Sequence, residues 1–264
     1  MIFEDSDKKK SDDQTLNFEL DLVDLDHEFN SELQVENLLF GKLRHDEVYD
    51  MFIQSGIINK LNERGYTDFI FTTDPISSLD NRIFVKTNKG EVLIHIRLKI
   101  ADFFIKKINE YRKMIYIDWL LTQNIHFTEK KFLFPGQEFT GLNVFKELTQ
   151  FIYFMYSKMN CYGVFNVPEY FHDAVLFMKN FKYVDPKKQG YFEALLTNFK
   201  KISIRKISNL IQDNQILFED GTEFKWFHSE MMDTEDVFLK SILFDSKYFE
   251  NKKKFSSTKF LLKE

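Results

Sequence analysis

Between Phe134 and Tyr183 the chain runs through a Pro135-Gly136-Gln137 loop, a Gly141-Leu142-Asn143 helix start, a short strand and a second helix closed by Asn180-Phe181. No other stretch restricts the fold as much. A polar, glycine-bearing turn that feeds straight into a helix leaves amide N–H groups without partners, and such groups can hold a phosphate or pyrophosphate. The long helix is expected over Leu142 to Met159, with Val144, Leu148, Phe151, Ile152 and Met155 along one stripe. Tyr162 to Phe165 reads as a strand. Asn166 and Pro168 supply a cap and a first-turn proline for a helix over Tyr170 to Lys179. Phe181 to Val184 reads as a further strand, ended by Asp185-Pro186.

The flanks are read by the same periodicities. Residues 1–15 read as a disordered arm, and Leu16 to Leu25 alternates acidic and apolar residues as a half-buried strand does. His45 to Glu63 carries a helical stripe with a soft point at Ser55-Gly56, so one helix or two joined there fit equally. Thr67 to Thr72 is a short strand, and Arg82–Lys86 and Glu91–Lys99 flank a turn at Asn88-Lys89-Gly90. Val92, Ile94, Ile96 and Leu98 share one side of that second strand; Glu91, Leu93, His95, Arg97 and Lys99 share the other. Ala101 to Arg112 is expected to be a helix, and Met114 to Leu121 a strand or the start of another helix. Helices follow over Tyr191–Lys200, Ile204–Ile211 and Asp233–Leu243, with a hairpin at Glu219-Asp220-Gly221 and a solvated lysine-rich tail.

Composition narrows the classes of function. With 36 basic and 41 acidic residues the formal charge is −5, which argues against wrapping a nucleic acid. One cysteine among 264 residues excludes a disulfide scaffold and a cysteine-based zinc site, and no histidine pair has metal-ligand spacing. The most apolar stretch, Phe145 to Phe165, is interrupted by Lys146, Glu147 and Lys158, too polar to span a bilayer. No signal peptide is visible, so the expectation is a cytoplasmic protein with neither a nucleic-acid nor a membrane partner. The 31 Phe residues rise together with Tyr, Asn, Lys and Ile, a pattern that biased base composition explains.

The strand–loop–helix–strand–helix–strand order from about Phe132 to Val184 resembles the core of the GCN5-related N-acetyltransferase superfamily. That family binds the pyrophosphate of acetyl-CoA with a loop of pattern Arg/Gln-x-x-Gly-x-Gly/Ala. The matching stretch here is Gln137-Glu138-Phe139-Thr140-Gly141-Leu142-Asn143, with Asn143 in place of the second small residue. The spacing from Gly141 to Asn180-Phe181 matches that from the family's loop to its Gly-Phe pair, and Asn tolerates left-handed φ. The resemblance implies an α/β fold with a mixed sheet: a GNAT-like domain over residues 16–186, with an N-terminal helical segment and an α/β extension over 187–264. It also implies acetyl-CoA or another acyl-CoA as co-substrate, held by Gly136, Gln137, Thr140, Gly141, Leu142, Asn143 and Val144. A small-molecule or peptide amine would be the acceptor, and residues 187–264 could cover it, complete the core or form a homodimer contact.

Acyl transfer to an amine needs a base, a polarised thioester carbonyl and an acid for the leaving thiolate. Where the family often places a tyrosine acid this chain has Leu176 or Phe177. Tyr170 and His172 stand about a turn earlier and are the substitutes by location. Glu129 is the base candidate carried forward, with Asp118, Glu91, His95 and His126 also near strand ends. Cys161 reads as a small core residue. The competing expectation is a catalytically inactive module of the same fold that binds CoA, a peptide or a protein partner, with Trp119, Trp226 and Phe227 as interface residues.

Overall fold

The computed structural model describes residues 38–77, 79–127 and 133–263. The arm over residues 1–15, the strand over Leu16–Leu25 and the candidate base Glu129 lie outside them. The chain is mixed α/β, built on a seven-stranded mixed sheet. Helices α1 (His45–Gln54) and α2 (Ile57–Glu63) come first, parted at Gly56, whose φ of +85° ends one and starts the other. Four antiparallel strands follow: β1 (Phe69–Ser77), β2 (Asp80–Thr87), β3 (Val92–Ile105) and β4 (Glu110–Thr122). Gly90, at φ +86°, closes the β2–β3 turn as its sequence requires.

The helix expected over Ala101–Arg112 is instead the far half of the β3–β4 hairpin. Ala101, Phe103 and Ile105 alternate with Ile100, Asp102 and Phe104, a period of two, and Asn109 turns the chain at φ +56°. Leu93 also departs from its expected face. Val85 pairs with Ile94 and Lys86 with Val92, so Leu93 is the extra residue of a bulge and turns inward to full burial.

After a long connection come α3 (Phe145–Lys158), β5 (Val164–Asn166), α4 (Phe171–Phe177) and β6 (Lys182–Tyr183). Asp185-Pro186 does more than stop β6. Asp185 caps α5 (Pro186–Asn198) by accepting from the Lys187 N–H at 2.8 Å, with Pro186 in the first turn, so this helix starts earlier than Tyr191. Then come α6 (Ile204–Gln212), β7 (Ile216–Phe218), β8 (Met231–Asp233), α7 (Val237–Leu243), α8 (Ser246–Ser256) and β9 (Phe260–Leu262). The expected Asp233 helix start is therefore the end of a strand, and the lysine-rich tail is a helix and a strand. Lys252 in it is not simply solvated, for its Nζ lies 2.9 Å from the Glu193 carboxylate.

The sheet order is β1-β2-β3-β4-β5-β8-β6, with β4 and β5 parallel and the other pairs antiparallel; β7 and β9 form a separate pair. Residues after Asp185 thus supply an interior strand, β8, between β5 and β6, and the described residues belong to one compact unit. Ile96, Ile117, Val164 and Met231 face the main core with α1 to α6, and Met114, Phe165 and Met232 pack beneath α7 on the other side. Gly163 has no room for a side chain: an added Cβ would sit 2.4 Å from the Asp233 carbonyl oxygen and 2.9 Å from Met114 Cε. Gly163→Ala must prise β5 from β8, and overpacking of this kind costs about 3 kcal/mol. Thermal unfolding should then shift down by roughly 6–12 °C. An unchanged midpoint would mean that the two strands are not in this contact.

Candidate functional site

β4 and β5 pair only through Ile115–Ile117 against Val164–Asn166, and β4 then runs on to Thr122 without β5 beside it. β5 itself stops at Asn166, and ligands in such sheets usually bind beyond the carboxyl ends of parallel strands. A bulge re-aims β4 there. Arg97 pairs with Trp119 and Leu98 with Ile117, leaving Asp118 extra. Asp118 is mostly buried and ion-paired to Arg97 and, at 3.0 Å, to Lys99, so it is not a free base. His126 is stacked on Tyr66 at 4.5 Å and His95 on Phe84 at 4.2 Å; neither lies among the loop and helix residues of the site. Glu91 sits at the β2–β3 turn, bonded to Thr87.

The loop residues divide into two groups. Gly141 lies against the end of β4, where an added Cβ would meet Thr122 Oγ1 at 3.2 Å, and its own φ is not left-handed. The left-handed residue is Asn143, at φ +58°. Asn124 N–H donates to the Thr140 carbonyl at 2.7 Å, and Leu142 N–H points at Thr122 Oγ1 across 3.4 Å. Leu142 and Val144 are buried side chains, so only their backbones are available. Helix α3 begins at Phe145, a turn's width later than the sequence pattern suggests, and Val144 gives it no side-chain cap. Among the described residues nothing accepts from the N–H groups of Thr140, Gly141, Asn143 or Val144, or from those of the first helical turn. Lys146 is exposed in that turn, while Glu147 leans toward Gly56, 3.6 Å from its Cβ position.

Gly136 and Gln137 do a different job. Gln137 closes its own turn, donating N–H to the Phe134 carbonyl at 3.1 Å and accepting the Phe134 N–H at 3.2 Å. Gly136, at φ +78°, lies under the Tyr170 ring, with a Cβ there 3.0 Å from the phenol oxygen. Phe134 stacks on His172 at 4.5 Å, and the Arg205 guanidinium sits 5.3 Å from the Phe134 ring centre. The Pro-Gly-Gln turn is therefore folded onto the start of α4, away from the open amides of α3. Asn180, at the other end of α4, is not among the residues with left-handed backbone.

His172 is 4% exposed, and burial pushes its pKa down to about 4, so the ring is neutral near pH 7. Its Nδ1 is 2.9 Å from Ser208 Oγ, and its Nε2 is 3.4 Å from Asp173 Oδ1. With the proton on Nε2 both contacts are satisfied, and the imidazole buttresses Asp173 without reaching solvent. Asp173 is the residue the sequence reading missed. It accepts the Tyr170 N–H at 3.1 Å, keeps a third of its side chain exposed, and burial raises its pKa to about 6. The acid three places after a helix cap was a legible signal for the hydrogen bond, but its burial was not. Asn166, at the end of β5, is 4% exposed with Oδ1 unpartnered among the described residues.

A separate cleft of about 430 Å³ lies at the opposite end of β5, between Tyr153, Lys179, Lys182, Asp233 and Lys240, and none of the expected site residues lines it. Among the described residues no helix is long and apolar enough to cross a membrane. No protein-family model and no curated protein matches this sequence.

Proposed function

We propose that the protein is a CoA-dependent N-acyltransferase of GNAT-like fold, moving an acetyl or longer acyl group from acyl-CoA to an amine by direct attack in a ternary complex. One observation carries the reading: β4 and β5 are parallel, pair over three positions before β5 ends, and lie beside a 14-residue helix whose first N–H groups have no cap among the described residues. An anionic group favours such a helix start, and the unpaired end of β4 beyond Ile117 is the edge assigned to the thioester arm. The amides assigned to the pyrophosphate are those from Asn143 through the first turn of α3, aided by Lys146. Gly141 brings the loop close to Thr122.

Asp173 is the assigned base. It takes the proton of the attacking amine, the nitrogen forms the amide bond as the carbon–sulfur bond breaks, and the thiolate leaves with a proton from an acid. Tyr170, whose hydroxyl lies against Gly136 and is held protonated by burial and the nearby Glu169, is the assigned acid. Leu176 is exposed and Phe177 buried at the place of the family's usual tyrosine, which favours the second reading, binding without turnover.

Titration of acetyl-CoA into wild type and Lys146→Glu tests the site. Reversing a charge beside the phosphates should weaken binding about tenfold, or 1.4 kcal/mol. No heat from wild type, or equal affinity in both proteins, would remove the cofactor assignment.

A further inference from the structure

Lys188, in the first turn of α5, is the one fully buried lysine of the described core (0% exposed), and its Nζ makes no hydrogen bond there. It lies 3.0 Å from the Trp226 ring centre, 4.1 Å from that of Phe227 and 5.4 Å from that of Tyr183. Two more buried polar atoms in this cluster, Tyr183 Oη and Trp226 Nε1, are likewise without partners among the described residues. A packed core has no use for three such atoms together, since each forfeits its hydration.

The covering segment is held by side chains and not by its backbone. Phe224 N–H donates to the Ile216 carbonyl and Val184 N–H to the Glu230 carbonyl, both at 2.9 Å. Between those anchors, Lys225–Ser229 makes no backbone hydrogen bond to any described residue, and Phe227 is 36% exposed. Trp226 anchors it edge-on against Phe171, Tyr183 and Phe192, and without ladder bonds it opens more readily than the strands around it. Opening it uncovers the Lys188 amine.

We propose that Lys188 is a carbonyl-capturing amine, closed under the Lys225–Ser229 segment, which forms an imine with a small apolar aldehyde or ketone when that segment lifts. Nζ adds to the carbonyl carbon, the nitrogen gives up its protons, and the carbonyl oxygen leaves as water. The Tyr183 ring centre lies 5.4 Å from the amine, and its hydroxyl, whose pKa is raised by burial and by Asp173, keeps the proton assigned to the departing water. The amine is nucleophilic because burial and its place at a helix start disfavour the ammonium, as in desolvated catalytic lysines. Lys187 adds a like charge next door; Asp185 opposes, but its carboxylate is engaged by the Lys187 N–H. None of this requires the acyl-carrier site.

The probe is propanal with cyanoborohydride at limiting reagent, read by peptide mass mapping over a pH series. Wild type should be propylated at Lys188 at least tenfold faster than at any exposed lysine at pH 7, with a rate that levels off above it. Trp226→Ala should speed the reaction several-fold, and Tyr183→Phe should slow it. Adducts confined to surface lysines, a Lys188 rate still climbing beyond pH 9, or labelling of Lys188 only in Trp226→Ala would each overturn the proposal.

Discussion

Replacing Asp173 with asparagine is expected to leave acetyl-CoA affinity within about twofold while turnover falls by about 10² to 10⁴, the usual contribution of a positioned base. Asparagine keeps the oxygen that accepts the Tyr170 N–H, and its NH2 can donate to His172 Nε2 once the ring proton moves to Nδ1 and Ser208 Oγ accepts it, so the start of α4 is kept. The wild-type rate should rise with pH through about 6, where the Asp173 carboxyl ionises, and the variant should lack that limb. A stability change should accompany the loss. Because burial raises the folded-state pKa above its ordinary 3.8, this group's contribution is fully present below that value and is lost as pH rises through about 6. At pH 7 the ionised wild-type residue therefore weighs against folding, and asparagine relieves it. The gap in pKa would cap the gain at about 3 kcal/mol, and with a third of the side chain in water, screening reduces it to about 1 kcal/mol. Urea unfolding at pH 3.5 and 7 checks the sign: the variant's advantage should appear only at the higher pH. A variant that turns over normally would take Asp173 out of the mechanism.

What could be read from the residues was what repeats locally. The break at Gly56, the turn at Gly90 and the amphipathic stripe of α3 are set by φ preference and by a 3.6-residue period. They fell where the chain signalled them, give or take the first turn of α3. Ala101–Arg112 reads as a helix in the sequence because its alternation is short and is followed by Lys106 and Lys107, which suit either a helix or a hairpin tip. The position of β8 between β5 and β6 could not be read at all, since three residues carry no partner information of their own. The loop glycines stand out in the sequence, but what each packs against does not. Gly136 and Gln137 belong to the α4 side because Tyr170 and His172 pack on that turn, a long-range fact. Asp173 and Lys188 do not stand out for the same reason: burial sets the environment on which their proposed roles rest, and neither lies on an obvious apolar face.

The larger stability effect is expected at Lys188, where methionine should stabilise the protein by about 3 kcal/mol at pH 7 and raise the midpoint by roughly 6–12 °C. Two forces compete at the amine. Packing over Trp226 favours the ammonium by about 2 kcal/mol, whereas removing it from water costs several kcal/mol. Desolvation wins, and the folded-state pKa drops from 10.5 to about 6. A depressed pKa supports folding fully above the unfolded value and loses that support as pH falls toward the folded one. Between about pH 6 and 10.5 the unfolded chain holds a proton that the native protein lacks, so wild-type stability should climb with pH across that window. At pH 7 the shortfall is at most about 5 kcal/mol, and relaxation around the amine trims it to the value expected. Methionine fills a similar volume beside Trp226 and has no proton to lose, so its stability curve should lack this climb and meet the wild-type curve near pH 10. The decisive comparison is urea unfolding of both proteins at pH 6, 7, 8 and 9. A methionine variant less stable than wild type at pH 7 would mean that the aromatic box holds a charged ammonium, and the nucleophilic amine would go with it.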